Sequence, residues 1–436
     1  MVCRFRPYGH SRVALHRDIE DARQAEGQTI NKKKIIFAAS AGLIVILYLL
    51  LISRGRPEGF ILGARADNAG AMYDRGMKWF DADGRPKEAM DILREKGLTH
   101  FISGITVSPL GEYGFDYVLK NSLRMAKSGL IPGAFLYLSD QACSVDIQGS
   151  PLLWSTYPGS EKAFAASGFA ENIARDFKSA GLRFRLYSIG HETDLAICGV
   201  SMRDDRAKAF EIIKAAADAV RKNDSRAKIM ISLGRWWDVE AAVDFFSAAM
   251  KYGINADYAG LSFYPQSSYE GGVSTPSIKA FIRNAETISG MSGLPVIASG
   301  ASYPNSSDGG RSPDPLYPLT GAGQRDWLID MLAACYNSPA VKGFIYTLPE
   351  DYTGGTGNSA LFSSEGELLP AADAFRAFGE PLMNAFEYAE KALASAKPAK
   401  TAELKAIMDE ACFLLRDGAV EEAKFKARQA EYKALQ

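Results

Sequence analysis

Between residues 60 and 378, short apolar runs alternate with longer stretches whose apolar positions recur every three or four residues. That alternation predicts repeated βα units and a parallel sheet. The runs are FILGA (60–64), THFISGITV (99–107), PGAFLYL (132–138), RFRLYSIG (183–190), AKIMISLG (227–234), DYAGLSFY (257–264), LPVIAS (294–299) and KGFIYTL (342–348). Eight strands with intervening helices predict an α/β chain folded as a closed (β/α)8 TIM barrel over 60–380. A doubly wound open sheet is the competing arrangement, but no glycine-rich phosphate-binding turn follows any of the runs.

The flanks read differently. Ile35 to Ser53 carries no charged residue and has the length a helix needs to cross a bilayer, so it predicts a transmembrane helix at 35–53. A cleaved signal peptide is the alternative, weakened by the 34 residues before the segment and by an exit, SRGRPEG, without a small-residue cleavage site. Lys32, Lys33 and Lys34 abut its N-terminal side, which places residues 1–34 in the cytoplasm and, beyond a linker at 54–59, the barrel in the periplasm or outside the cell. From 381 to 436 the composition turns to Ala, Glu and Lys, with breaks at Lys397-Pro398 and Asp417-Gly418 that divide it into three helices. Their apolar stripes (Phe386, Ala389, Leu393; Leu404, Ile407, Met408, Ala411, Leu415; Val420, Ala423, Ala427, Ala430) either pack on each other and the barrel or form a docking face for a protein partner. The turn around Asp417, Gly418, Glu422 and Ala423 looks like one hairpin of a tetratricopeptide repeat, although such repeats normally need about three copies.

Composition narrows the chemistry. With 47% hydrophobic residues and a formal net charge of -1 in 436 residues, the chain can bury a large core and has no electrostatic bias toward nucleic acid. The five cysteines have no metal-site spacing, so neither a metal nor a cofactor is expected. Cys143 and Cys198 fall in the loops after strands 3 and 4; an oxidised pair and two free buried thiols are both open readings.

Barrel active sites lie at the C-terminal ends of the strands. There, GLSFYP (260–265), YPLTGAGQRDWL (317–328) and NSALFSSEGELL (358–369), supported by SYP (302–304), SD (139–140) and DADGRPKEAMDILREKGL (81–98), resemble glycoside hydrolase family 53, the endo-β-1,4-galactanases. The resemblance implies a retaining pair of carboxylates, an acid/base after strand 4 and a nucleophile after strand 7, about 5 to 5.5 Å apart. It places the acid/base at Glu192 in SIGHETD, with His191 where the family has Asn. Aligned on Tyr303-Pro304, the nucleophile position is Gly300, preceded by Ser299, and no acid occurs in VIASGASYPNSS.

Other family positions differ as well. The Arg-rich end of strand 2 reads Ile102-Ser103-Gly104, the His before SD is replaced by Tyr137 or Leu138, and the Trp-Glu-Pro after strand 8 reads Thr347-Leu348-Pro349. Asp140, His191, Trp236, Trp237, Tyr264 and Tyr303 remain as sugar-contacting candidates, because aromatic faces stack on pyranose rings and polar groups pair with hydroxyls; packing at the barrel mouth is the bland reading of the aromatics. The leading expectation is a membrane-anchored pseudoenzyme that binds polysaccharide or supports an envelope complex. The alternative is an active glycosidase that pairs Glu192 with a loop carboxylate such as Glu350 or Asp351. The topology is testable: protease added to intact spheroplasts should degrade the barrel and spare residues 1–34, and a fully protected barrel would overturn the assigned orientation.

Overall fold

The computed structural model describes residues 60–266, 272–273, 276–307, 312–353, 358–376, 389, 393–394, 396, 398–416 and 420–435. Eight parallel strands form a closed barrel: β1 (Ile61–Arg65), β2 (His100–Ile105), β3 (Ile131–Leu136), β4 (Leu186–Ile189), β5 (Lys228–Leu233), β6 (Tyr258–Phe263), β7 (Val296–Ala301) and β8 (Val341–Thr347), each beside its chain neighbour and β1 closing on β8. Each of the eight predicted runs overlaps one barrel strand. The segment Ile35–Ser53 lies outside the described residues; among those described, no helix is long and apolar enough to cross a membrane.

Alternation along each strand divides the residues between the barrel axis and the helical layer. Ile61, Ile102, Phe135, Leu186, Met230, Ile297 and Ile345, one from each strand except β6, meet on the axis as a separate apolar cluster. On β6 the corresponding place is held by a glycine, since a Cβ on Gly260 would lie 2.5 Å from the Ser232 Cβ. Outward residues such as Leu62, Phe101, Ile229, Leu261 and Phe344 belong to the main core beneath the helices. The helix after β3, α4 (Gly159–Ser179), buries Ala163, Ala166, Ala170, Ile173, Ala174 and Phe177, the spacing of a single helical face.

Register irregularities sit where the barrel opens. The β6–β7 pairing slips between Leu261 and Ser262, and the β7–β8 pairing jumps between Ala298 and Ala301, so Ser299 is skipped on both sides and Gly300 pairs with Ser262 of β6 but not with β8. Such bulges re-aim side chains at barrel rims. Beyond β7, the side-chain amide of Gln324 in α8 (Gly321–Asn337) donates to the carbonyls of Tyr303 at 2.9 Å and Ser359 at 3.2 Å, tying the loops after β7 and β8 to one helix.

The C-terminal pair α10 (Pro398–Arg416) and α11 (Val420–Leu435) has a small core of its own, in which Ala389, Met408, Ala411, Ala427 and Ala430 meet. The pair also touches the barrel: Phe425 is buried in the main core, and Asn337 Nδ2 at the end of α8 donates to Glu422 Oε1 at 2.8 Å. Phe386 and the Asp417-Gly418 turn lie outside the described residues. Because Phe425 fills space shared with the barrel layer, Phe425→Ala should lower unfolding stability by about 3 kcal/mol. Phe413→Ala, at a side chain 60% exposed, should change it by less than about 0.5 kcal/mol in the same urea titration.

Candidate active site

The centre of the barrel mouth is a buried cation. Arg65 ends β1 with its side chain only 11% exposed; its Nε approaches Asp67 Oδ2 at 3.1 Å, and Nη1 reaches the Tyr137 hydroxyl at 3.1 Å and His191 Nε2 at 3.5 Å. Asp67 is fixed in turn by the Gly104 N–H, which donates to Oδ1 at 2.7 Å. Burial raises the Asp67 carboxyl above its ordinary range, opposed by Arg65 and by that N–H. Ile102-Ser103-Gly104 supplies no cation at the end of β2; the guanidinium of this centre arrives from the neighbouring strand, where Arg65 pairs in register with Ile102.

Glu192 follows β4 in a backbone conformation unusual for a side-chain-bearing residue, with φ of 51°. The conformation is held from several sides. Its N–H donates to Ser232 Oγ at 3.2 Å, and Gln148 Nε2 donates to the carbonyls of His191 at 2.7 Å and Glu192 at 3.0 Å. Asp194 accepts from the N–H groups of Gly234 and Arg235 at 2.7 and 2.8 Å, joining this loop to the one after β5. The Glu192 carboxyl accepts from Val145 N–H at 3.2 Å and lies 3.5 Å from His191 Nε2. Burial pushes it up to about 7, with Asp194 adding and Ser262, Arg65 and the Val145 N–H opposing. A carboxyl poised there has the protonation behaviour of a general acid near neutral pH.

His191 stacks on Phe135 with ring centroids 4.9 Å apart. Burial, reinforced by Arg65, holds its pKa well below the usual imidazole value, so the ring is neutral. With Arg65 only a donor, Nε2 serves as the acceptor and Nδ1 carries the proton, facing Ser232 Oγ at 3.5 Å.

The position aligned with the family nucleophile is filled rather than hollow. A Cβ on Gly300 would lie 2.3 Å from the Tyr264 hydroxyl, which exchanges a 2.7 Å hydrogen bond with Thr347 Oγ1. Thus β6, β7 and β8 jointly place a phenol where the resemblance implies a carboxylate.

Four of the sequence-selected residues, His191, Glu192, Tyr264 and Gly300, converge on this centre. Four do not, and the reasons are physical: Trp237 is partly buried against the main core, and the other three are held as follows. Trp236 is 1% exposed and packs edge-on against Trp237, Phe263 and Phe281, so it is core. Tyr303 is fully buried and stacks on Trp327 at 5.2 Å, with its hydroxyl on Ser312 and the Tyr317 carbonyl. Asp140 is exposed and accepts from Leu152 N–H at 2.7 Å, organising its own loop. Glu350 is fully buried with Oε1 accepting from Asn68 N–H at 2.9 Å, and burial raises its carboxyl well above the ordinary range, with Asp67 and Asp351 adding to the shift. Asp351 accepts from Asn68 Nδ2 at 2.9 Å. Cys143 and Cys198 are both buried free thiols, not a disulfide, and burial pushes them up to about 12 and about 11. Arg65 and Asp67 were missed by sequence; the one available signal was a charge closing the apolar run FILGAR. Among the described residues no cluster of metal-binding side chains occurs.

The Glu192 environment has a thermodynamic signature. Its pKa rises from 4.5 to about 7 on folding, so the native state holds the proton more tightly and stability declines as pH rises through that window. Glu192→Gln removes the titration. Its stability relative to wild type should therefore climb between pH 4.5 and 7, by about 3 kcal/mol at most, and stay level above. A pH-independent difference in denaturation midpoints would show that Glu192 does not titrate in this way.

Comparisons with known proteins agree with the geometry. The sequence model of Glycosyl hydrolase family 53 matches residues 61–375. A protein described as probable arabinogalactan endo-beta-1,4-galactanase A from Aspergillus fumigatus is 23% identical over 233 residues, 51% of this chain and 65% of the relative, so the match spans about two thirds of that relative's length. An uncharacterized Niallia circulans protein is 22% identical over 357 residues, 74% of this chain and 95% of its own. Among solved structures, the Ignisphaera aggregans family 53 catalytic domain superposes with a TM-score of 0.67 at 20% identity, covering 75% of this chain and 98% of that one. A fungal beta-1,4-galactanase superposes with a TM-score of 0.66 at 19% identity, covering 72% and 98%. With a family match over most of the chain and a closed barrel carrying the strand-4 glutamate at its mouth, this protein belongs to glycoside hydrolase family 53.

Proposed function

We propose that this chain is a non-hydrolysing member of its family: a barrel, held outside the cytoplasmic membrane by the segment 35–53, that binds polysaccharide without cleaving it. The observation that carries the reading is the Tyr264 hydroxyl, bonded to Thr347, in the space that a side chain at Gly300 would need. Retaining hydrolysis divides one difficult step into two through a covalent glycosyl-enzyme, and neither glycine nor a phenol hydrogen-bonded to threonine supplies the carboxylate that attacks and neutralises the developing positive charge. Glu192 retains the environment of an acid but has no partner of that kind among the described residues. Glu350, the loop carboxylate proposed as a substitute, is committed to Asn68 and fully buried. The C-terminal helices are read as joining the barrel to a protein partner through the faces that the barrel leaves uncovered.

The test is hydrolysis itself. Wild-type protein should release no reducing sugar from β-1,4-galactan above a protein-free control, with or without azide. Gly300→Glu should not restore activity, because the new side chain meets Tyr264, and about 1 Å of misplacement costs roughly a hundredfold. Galactan cleavage that Glu192→Gln abolishes would sink the proposal and establish an unconventional second carboxylate.

A further inference from the structure

Arg65 is only partly satisfied by the protein. Nη1 is used twice, by Tyr137 and His191, and Nε faces Asp67 as an ion pair rather than a well-aligned hydrogen bond. Nη2 makes no hydrogen bond among the described residues, and it is not sealed away from solvent as Nε is. A guanidinium nitrogen left without an acceptor in a poorly hydrated site is a charged donor for an acid oxygen.

The surroundings point the same way. Tyr264, whose hydroxyl stands in the place of the family carboxylate, interacts electrostatically with both Arg65 and Glu192. The centre holds the carboxyls of Asp67 and Glu192 around a buried cation, with a phenol where the resemblance implies the nucleophile. Among the described residues Asp67 is the anion ion-paired with that cation, while Glu192 sits near its midpoint at neutral pH. Arg65 Nη2, the Tyr264 hydroxyl and protonated Glu192 offer hydrogen-bond donors to whatever enters. A neutral galactose residue has no charge to complement them.

We propose that the pocket recognises a glycan residue bearing a carboxylate, a uronic acid, with Arg65 as its receptor and Tyr264 beside it. This rests on the glycan-binding reading above and names the ligand class for the same site. The ligand's acid meets Arg65 Nη2 beside the Tyr264 hydroxyl, while Asp67, Tyr137 and His191 hold the other two nitrogens of the guanidinium.

Calorimetry on the full-length protein tests this with trimeric β-1,4-mannuronate, trimeric α-1,4-galacturonate, the methyl ester of each, and β-1,4-galactotriose. At least one acid should bind tenfold or more tightly than its own ester, and Arg65→Gln should bring that ratio to about one. The ester comparison in wild-type protein stands even where Arg65→Gln fails to fold. Equal binding of acid and ester, or galactotriose as tight as either acid, overturns the uronate assignment and leaves glycan binding intact. Failure of all five sugars overturns both.

Discussion

A guanidinium buried at the end of β1 governs the organisation of this barrel's mouth. Removing a charge from water costs several kcal/mol unless partners replace the lost hydration, and the arrangement around Arg65 follows from that requirement. Asp67 is drawn in as counter-ion and anchored on the Gly104 N–H; Tyr137 turns its hydroxyl to Nη1; His191 is kept neutral with its acceptor nitrogen toward the cation. The same neutral ring lies against Glu192, so the protonation of the acid and the placement of the cation are linked through one imidazole. Changing Arg65 to an apolar residue would therefore disturb four side chains at once, which is the behaviour expected of a coupled polar network in a low-dielectric setting.

The second organising fact is that the space beside Gly300 is not empty. Ångström-scale voids in a packed core forfeit dispersion contacts and are costly. Here glycine on β7 and tyrosine on β6 are complementary: the phenol fits because there is no Cβ at Gly300, and its hydroxyl is satisfied by Thr347 from β8. Three strands thus share one local solution. The register slips beside Ser262 and Ser299 belong to the same adjustment, since they are the places where the ladder yields to the contents of the mouth. An acid restored at Gly300 meets a neighbour already adapted to its absence.

Loops that carry the site are themselves held by side chains some distance along the chain. Gln148 fastens the carbonyls of His191 and Glu192, Asp194 bridges to the loop after β5, and Gln324 gathers the segments after β7 and β8. None of these contacts requires a ligand, so the left-handed backbone at Glu192 is a property of the resting fold.

The sequence by itself determined the barrel, because eight short apolar runs alternating with helical periods suit a closed parallel barrel, and each run that reveals a strand is short enough to be read locally. It also determined Glu192 and Gly300, since their positions follow from adjacent motifs in chain order. What only the tertiary structure decided was which exposed-looking aromatics face the mouth. Trp236 and Tyr303 sit just beyond strand ends at Leu233 and Ala301, where a local reading has no means of distinguishing a sugar platform from core; contacts with Phe281 and Trp327, far away in sequence, place both inside. Arg65 shows the converse. A charge closing a strand looks like an ordinary boundary in one dimension, and it becomes the centre of the site only because barrel closure brings β1 beside β2 and β8, and His191 within 3.5 Å.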